Sequence, residues 1–506
     1  MHSQFQRGLK LSLFLLLLNC SNLAFAKDGA KVKSSISILL DESGQAPFDE
    51  NASAYQLAFF NLHVLGQLLI ITDSLAVEPA LLDKAEYQFD RKEYILKLRA
   101  GTKFHNGRIA DSKDLEFSLL RGFFSKNRSF YKTYLGGIEG IDAVNGGFKS
   151  GAVRGVRVID DLTIGVKLKH PNPTFLHSIA QPYFSLVARE SLDDSYLKWK
   201  GAPVGAGPYR VVESANGKGH VRIEKFSKNT PGPEEVDLYT SDIAPRYDFS
   251  LIKTKKVDNE SISYAQLPGS MTTLFLSRLN PLSKNTDFRK ALTYSLNREE
   301  IAKVTPGSKP SWEMLPSHFW GRTGEKSTFD LKKAKEYFNK IPEDLRNKTW
   351  KFHAFYGSKD ISPRNEKIIS QLKDVGFKFE YRPGTEKFIS NDLATEIPLF
   401  VASQINDFTD PLIAFAAFLP TGHDPYLTFE SDPEFESAYE KAAFSITQES
   451  RVETIKVLSR QLNEKIICVP LLERKLPLYF DSKRISKVKM WGTLGLFKLE
   501  DVEFKE

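Results

Sequence analysis

Tyr94, Leu96 and Leu98 occupy one side of an alternation whose other side is Ile95, Lys97 and Arg99, a period of two that predicts a strand with one apolar face. Ala100, Gly101 and Thr102 break it, and Asn106-Gly107 supplies a second turn because both residue types tolerate positive φ. The spacing then changes to four. Leu115, Leu119 and Phe123 recur behind Asp111, whose carboxylate suits the N-cap of a helix.

The same alternation of strand and helix signals continues along the chain and predicts an α/β architecture. Residues 156–168 read as two strands hinged at Asp160-Asp161. Residues 201–209 are so dense in Gly and Pro that they predict a turn or a crossing between lobes, with a strand resuming at Tyr209. Residues 272–280 form a strand ending in Asn280-Pro281. A helix follows, with Asp287 as its expected N-cap and Phe288, Ala291, Leu292, Ser295 and Leu296 on one face. Asn297 with Glu300 and then Asp330 open two further helices. The cleanest signals come later: Ser362 as N-cap, Pro363 at the first helical position, an apolar stripe of Ile368, Ile369, Leu372 and Val375, and Gly376 as the stop. Asp432-Pro433 opens another helix, and a longer one carries Val452, Ile455, Ser459, Leu462 and Ile466.

A chain of 506 residues, 41% hydrophobic and 26% charged, can bury a large core in two or three domains. At its start Arg7 and Lys10 precede an apolar run at residues 11–18 and the small-residue pattern Ala24-Phe25-Ala26, which reads as a secretory signal peptide cleaved after Ala26. Residues 17–20 also resemble a lipoprotein box, in which Cys20 would be lipidated; Asn19 fits that box poorly. Cleavage after Ala26 leaves Cys468 as the one cysteine, so no intramolecular disulfide is expected. Loss of Arg7 and Lys10 lowers the net charge from +7 to +5. No basic block accompanies that mild excess, which argues for a solvated surface rather than a nucleic-acid partner.

Catalytic and cofactor signals are weak. The nine histidines lack HxH, HxxxH or HExxH spacing, so no metal site and no cofactor are expected. The Gly-rich stretch before Tyr209 has no GK[ST] behind it, there is no GxSxG elbow, and Cys468 lies in an apolar run suited to burial. No catalytic residue is assigned.

Residues 94–124, 156–176, 203–209 and 272–301, taken in that order, closely resemble the bacterial solute-binding proteins of extracellular family 5, the dipeptide-, oligopeptide- and nickel-binding components of ABC importers. The resemblance covers almost the whole mature chain. It implies a periplasmic-binding-protein-like α/β fold of class II type, with two lobes, a hinge and an interlobe ligand cleft. Residues 27–58, 186–265 and 482–506 would form the first lobe, 59–185 a family-specific extra subdomain, and 266–481 the second lobe, with crossings near Ser185, Gln266 and Asp481. It further implies a monomer in the periplasm that captures a short peptide and docks on an inner-membrane ABC permease.

The resemblance also places the ligand. Residues 404–411 follow a strand and match the loop in which the family's peptide binders set an Asp against the ligand's free α-amino group; by position that residue is Asp407, flanked by Gln404, Ile405 and Asn406. A carboxylate suits an ammonium group taken out of water. Asp407 and Asp410 can equally form an Asx-turn pair that closes the loop. Gln404 stands where the family has tryptophan, and Phe355 where dipeptide binders have the arginine that holds the peptide carboxylate; Lys359 or Arg364 could substitute. These departures leave a metal chelate or an oligosaccharide as alternative solutes, and a sensor or chaperone role as an alternative to transport. Ser43, Gly44 and Gln45, in the place of the family's first-lobe ligand loop, and Trp491 are further candidate contacts, each with a plain structural alternative.

Overall fold

The computed structural model describes residues 35–49, 54–72, 76–170, 172, 174–215, 219–354, 360–384, 390–405, 410–420, 432–445, 447–492 and 495–505. The leader, Cys20, Phe355, Lys359, Asn406 and Asp407 lie outside them.

Two sheets organise the two lobes. The first has seven strands in the order Glu260–Tyr264, Pro477–Asp481, Phe249–Ser250, Ser35–Leu39, Glu235–Tyr239, His220–Lys225 and Tyr209–Ala215. Ser35–Leu39 sits in the middle, parallel to both neighbours, and buries Ile36 and Ile38 against Val221, Ile223, Val236 and Leu238. An antiparallel sheet of Leu82–Gln88, Glu93–Leu98, Thr163–Lys167 and Val156–Val158 extends this lobe. Here the pattern in residues 94–124 takes the expected form. Asp111 accepts from the backbone N–H groups of Lys113 and Asp114, the Asp114 carboxylate bonds back to the Asp111 N–H, and Leu115, Leu119 and Phe123 are fully buried.

Among the described residues, the buried apolar side chains of 59–185, the expected extra subdomain, join those of the seven-stranded sheet in one cluster. The expected boundary between residues 58 and 59 falls inside the helix Ala54–Phe60, which continues as a π-turn over Asn61–Leu65. Phe59 and Phe60, both fully buried, hold that helix in the lobe, with Phe59 5.2 Å from the Phe497 ring and Phe60 5.3 Å from Phe48.

The second lobe has a six-stranded sheet in the order Ser308–Pro310, Cys468–Arg474, Ser270–Leu276, Leu399–Ile405, Thr349–Ala354 and Lys378–Arg382. Both faces are covered, which is why its strands read as apolar runs. Leu274, Leu276 and Val401 pack on one side with residues of Thr286–Ser295 and Pro363–Val375, and Phe275 and Phe400 on the other with Pro433–Phe444 and Gln448–Lys465. The N-cap of Thr286–Ser295 is Asn285, whose side chain accepts from the Phe288 N–H at 2.9 Å, and not Asp287, which lies inside the first turn. Asn297, Asp330, Ser362 and Asp432 cap the helices they were expected to open.

One crossing moves. Pro477–Asp481, expected in the second lobe, pairs with Glu260–Tyr264 and Phe249–Ser250 of the first, because Leu478 completes that lobe's core. The chain therefore passes between lobes at 265–269 and 475–476 rather than near Asp481.

The Gly-rich stretch at 201–209 is a packed seam. The Ala206 and Gly207 N–H groups donate to the Leu65 and Val64 carbonyls at 2.8 and 3.0 Å, and His105 clips the same segment: its N–H donates to the Gly205 carbonyl at 2.9 Å and its Nε2 to the Gly207 carbonyl at 3.0 Å. His63, buried nearby, donates from Nδ1 to the Phe59 carbonyl at 2.8 Å and accepts the Leu499 N–H on Nε2 at 3.1 Å. Burial pushes both imidazoles down to about 4. In the unfolded chain they titrate near 6.5, so between these values the unfolded state binds more protons. Their contribution is complete above 6.5 and is lost as pH falls towards 4. The thermal midpoint should therefore begin to drop below pH 6.5, before carboxylates titrate; a midpoint flat from pH 7 to 5 would contradict this assignment.

Candidate functional site at the hinge ends of the two sheets

The second-lobe sheet concentrates its polar chemistry at one edge. Ser270–Leu276 runs antiparallel to Leu399–Ile405 and to Cys468–Arg474, with Ser270 opposite both Ile405 and Arg474. Both crossing segments leave from that edge. On one face of these strands the buried apolar residues Leu274, Leu276, Val401 and Leu472 give way to Ser270, Thr272, Ser403 and Arg474, since opposed and alternate residues share a face.

Arg364, at the second position of Pro363–Val375, lies on this polar end. Its Nη1 donates to Thr272 Oγ1 at 3.4 Å and Ser403 Oγ at 3.3 Å, and its Nε to Asn365 Oδ1 at 3.1 Å. Among the described residues it has no carboxylate partner. Burial first, and then the positive charge of Arg474, push it down to about 10. Its position in the first turn of a thirteen-residue helix adds an unfavourable dipole. Arg474, half-buried beside it, also has no acceptor among the described residues, and its Nε is enclosed. A fold normally gives a desolvated cation such as Arg364 a counter-charge, and here its neighbour is a second cation. Both lie at the end of the sheet from which the two crossing segments leave.

The strand ends of the first lobe face the same hinge. Ser35–Leu39 and Phe249–Ser250 run parallel, and both Phe249–Ser250 and Glu260–Tyr264 run antiparallel to Pro477–Asp481, so Leu39, Ser250 and Tyr264 end together where residue 265 departs. The loop after Ser35–Leu39 holds Ser43, Gly44 and Gln45. Ser43 Oγ donates to Asp41 Oδ1 and accepts from Gln56 Nε2, both at 3.0 Å, Gly44 has φ +74° and donates to the Thr240 carbonyl, and Gln45 is exposed. These bonds tie the loop to its own Asp41 and to neighbouring elements of the same lobe. Trp491 lies in the hairpin of Met490–Trp491 and Leu496–Phe497. Gly495 of that hairpin is packed so closely that a Cβ there would lie 3.2 Å from Leu476 and 3.4 Å from Ala265, one residue of each crossing. Lys498 Nζ stands 3.9 Å from the Trp491 ring centroid, and the indole N–H has no acceptor among the described residues.

Gln404 and Ile405 are placed by register, opposite Met271 and Ser270, at the mouth of residues 406–409. Asp410, just beyond, is buried: its Oδ1 accepts the Leu412 N–H at 2.9 Å, an Asx-type turn, and its Oδ2 meets Arg451 Nη2 at 2.5 Å. It is a structural residue. Arg474 was missed in the sequence, although a basic residue closing the apolar strand that follows Ile466 was a visible signal. Cys468 is buried in that strand and burial pushes its thiol up, so it should resist aromatic disulfide reagents in the native protein and react on unfolding. Rapid native labelling would contradict its placement.

Comparison with known proteins bears directly on this arrangement. The sequence profile of the bacterial extracellular solute-binding proteins, family 5, middle region, matches residues 76–426. The chain belongs to that family. As a family 5 binding protein it is 23% identical over 418 residues to the oligopeptide-binding protein OppA of Bacillus subtilis, covering 75% of this chain and 76% of that one. It is 24% identical over 517 residues to the dipeptide-binding protein DppE of Bacillus subtilis, covering 94% and 93%. Among solved structures, a dipeptide-binding protein from Pseudoalteromonas sp. SM9913 in complex with Met-Leu superposes with a TM-score of 0.72 at 16% identity, covering 93% of this chain and all of that one. The two-lobed binding-protein fold is thus shared by family 5 members over nearly the full chain. Among the described residues no helix is long and apolar enough to cross a membrane.

Proposed function

We propose that this protein is exported to the periplasm, captures short peptides between its two lobes and, as a monomer, delivers them to an inner-membrane ABC permease. The observation that carries the reading is Arg364, a guanidinium held at the hinge edge of the second lobe without a carboxylate among the described residues. A peptide's terminal carboxylate supplies the missing charge, and Asp407, by its place after Leu399–Ile405, supplies the opposite charge for the terminal ammonium. Ser43, Gly44, Gln45 and Trp491 belong to the loop and hairpin through which the first lobe would close on the ligand. Only the closed state contacts the ligand with both lobes, so binding shifts the equilibrium towards closure. No catalytic step is assigned.

Ligand screening by thermal shift tests the reading, because a tight ligand raises the midpoint through RT ln(1 + [L]/Kd). Short peptides with free termini should raise it, and Asp407→Ala should weaken their binding. Equal affinity for N-acetylated peptides would remove Asp407 from the site. Larger shifts with metal chelates or oligosaccharides than with any peptide would move the protein to a non-peptide solute, the alternative suggested by Gln404 in place of the family's tryptophan.

A further inference from the structure

Arg364 and Arg474 together specify more than a single carboxylate. Arg364 Nη1 is tied to Thr272 and Ser403, which face each other across two strands, whereas Arg474 extends from a position opposite Ser270. Ser270 and Thr272 are two residues, about 7 Å, apart on one strand, so Arg364, held at Thr272, and Arg474, on the strand beside Ser270, border the same polar face. The side chains on this face between them are the hydroxyls of Ser270, Thr272 and Ser403, which can donate to an anion but cannot neutralise a cation. The nearest buried acid by sequence, Glu473, is occupied elsewhere: it alternates to the opposite face and accepts the Ser317 N–H at 2.6 Å. Arg364 stays charged near neutrality despite the depression that burial and Arg474 impose. Two persistent positive charges therefore share one polar floor.

We infer that the peptides preferred by this protein end in an acidic residue, with the α-carboxylate and side-chain carboxylate of a C-terminal Asp or Glu divided between Arg364 and Arg474 over the Ser270, Thr272 and Ser403 hydroxyls. The inference rests on the peptide-binding reading and deepens it. A neutral C-terminal residue satisfies one guanidinium and leaves the other without a partner, the penalty by which a polar site rejects an analogue that lacks the matching group.

The test uses the mature full-length protein and isothermal titration calorimetry with Ala-Ala-Glu, Ala-Ala-Gln and Glu-Ala-Ala. Ala-Ala-Glu should bind about tenfold or more tighter than either of the others, the ratio expected from one extra charge-assisted contact. In Arg474→Gln the preference for Glu over Gln should fall to within about twofold, and Arg474→Lys, which keeps the charge but not the planar fork, should retain part of it. If Arg474→Gln does not fold, the Lys variant and the wild-type ratios still decide. Equal wild-type affinity for Ala-Ala-Glu and Ala-Ala-Gln overturns this inference while leaving peptide binding standing, and equal affinity for Glu-Ala-Ala and Ala-Ala-Glu overturns the C-terminal placement. Failure of all three peptides to bind, with a non-peptide solute binding tightly, overturns the peptide reading itself.

Discussion

Gly205→Ala is expected to lower stability by about 3 kcal/mol, at the upper end of what forced overpacking does. A Cβ at Gly205 would lie 2.3 Å from both the Val64 carbonyl oxygen and Leu65 Cα. Both are main-chain atoms, and the segment that carries them is fixed by the buried helix Ala54–Phe60 and by the hydrogen bonds from Ala206 and Gly207. No side chain can rotate away. The displacement would also part Gly205 from the His105 N–H, the bond by which the turn of residues 94–124 grips the seam. Gly101→Ala is the control. Gly101 has φ +75° but nothing within 4 Å of the place a Cβ would take, so that variant should lose only the conformational penalty of about 1 kcal/mol. Urea unfolding of the two variants checks the difference. Equal losses would mean that the close approach at Gly205 is not the constraint described.

Arg451→Met should be of comparable or greater effect, about 3–5 kcal/mol, because it strands a buried carboxylate. Arg451 and Asp410 are 3% and 6% exposed, and the Arg451 guanidinium also lies 5.5 Å from the Trp320 ring. Arg451→Met paired with Asp410→Asn removes the orphaned charge, keeps an oxygen for the Leu412 N–H and should recover more than half of the loss. The effect should reach the ligand as well. Asp410 lies three residues after Asp407 in the sequence and is tied down by its own hydrogen bonds, so Arg451→Met protein that remains folded should bind peptide more weakly. Unchanged peptide affinity in such protein would separate the ion pair from the site, and strict additivity of the two substitutions would deny the pair its energetic coupling.

Much of the scaffold was legible because local signals and tertiary context agree. Asp111, Asn297, Asp330, Ser362 and Asp432 cap their helices since an Asx or Ser oxygen needs only its own next turn. Asp287 failed for the same local reason: Asn285, two residues earlier, offers an equally good oxygen, and the chain starts the helix there. The crossing was misplaced because Pro477–Asp481 has an ordinary apolar pattern; which sheet a strand joins depends on partners far away in sequence, here Phe249–Ser250 and Glu260–Tyr264. The site divides similarly. Arg364 was visible as one of two substitutes for a missing arginine, whereas Arg474 acquires meaning only through the register that sets it beside Ser270 and on the face of Thr272. Trp491 could be named as an aromatic near the end of the chain, but that its hairpin approaches both crossings is seen only in the closeness of Gly495 to Leu476 and Ala265.

On the proposed function, a peptide's two charged ends are recognised at the hinge ends of the two sheets. Calorimetric titration of the mature protein with Ala-Ala-Glu, its N-acetylated form and its C-terminal amide tests it most directly. The free peptide should bind, and blocking either end should weaken binding by about tenfold or more, since each block removes one charge-assisted interaction from a desolvated site. Equal affinity for the free and both blocked peptides would rule out recognition of the charged ends.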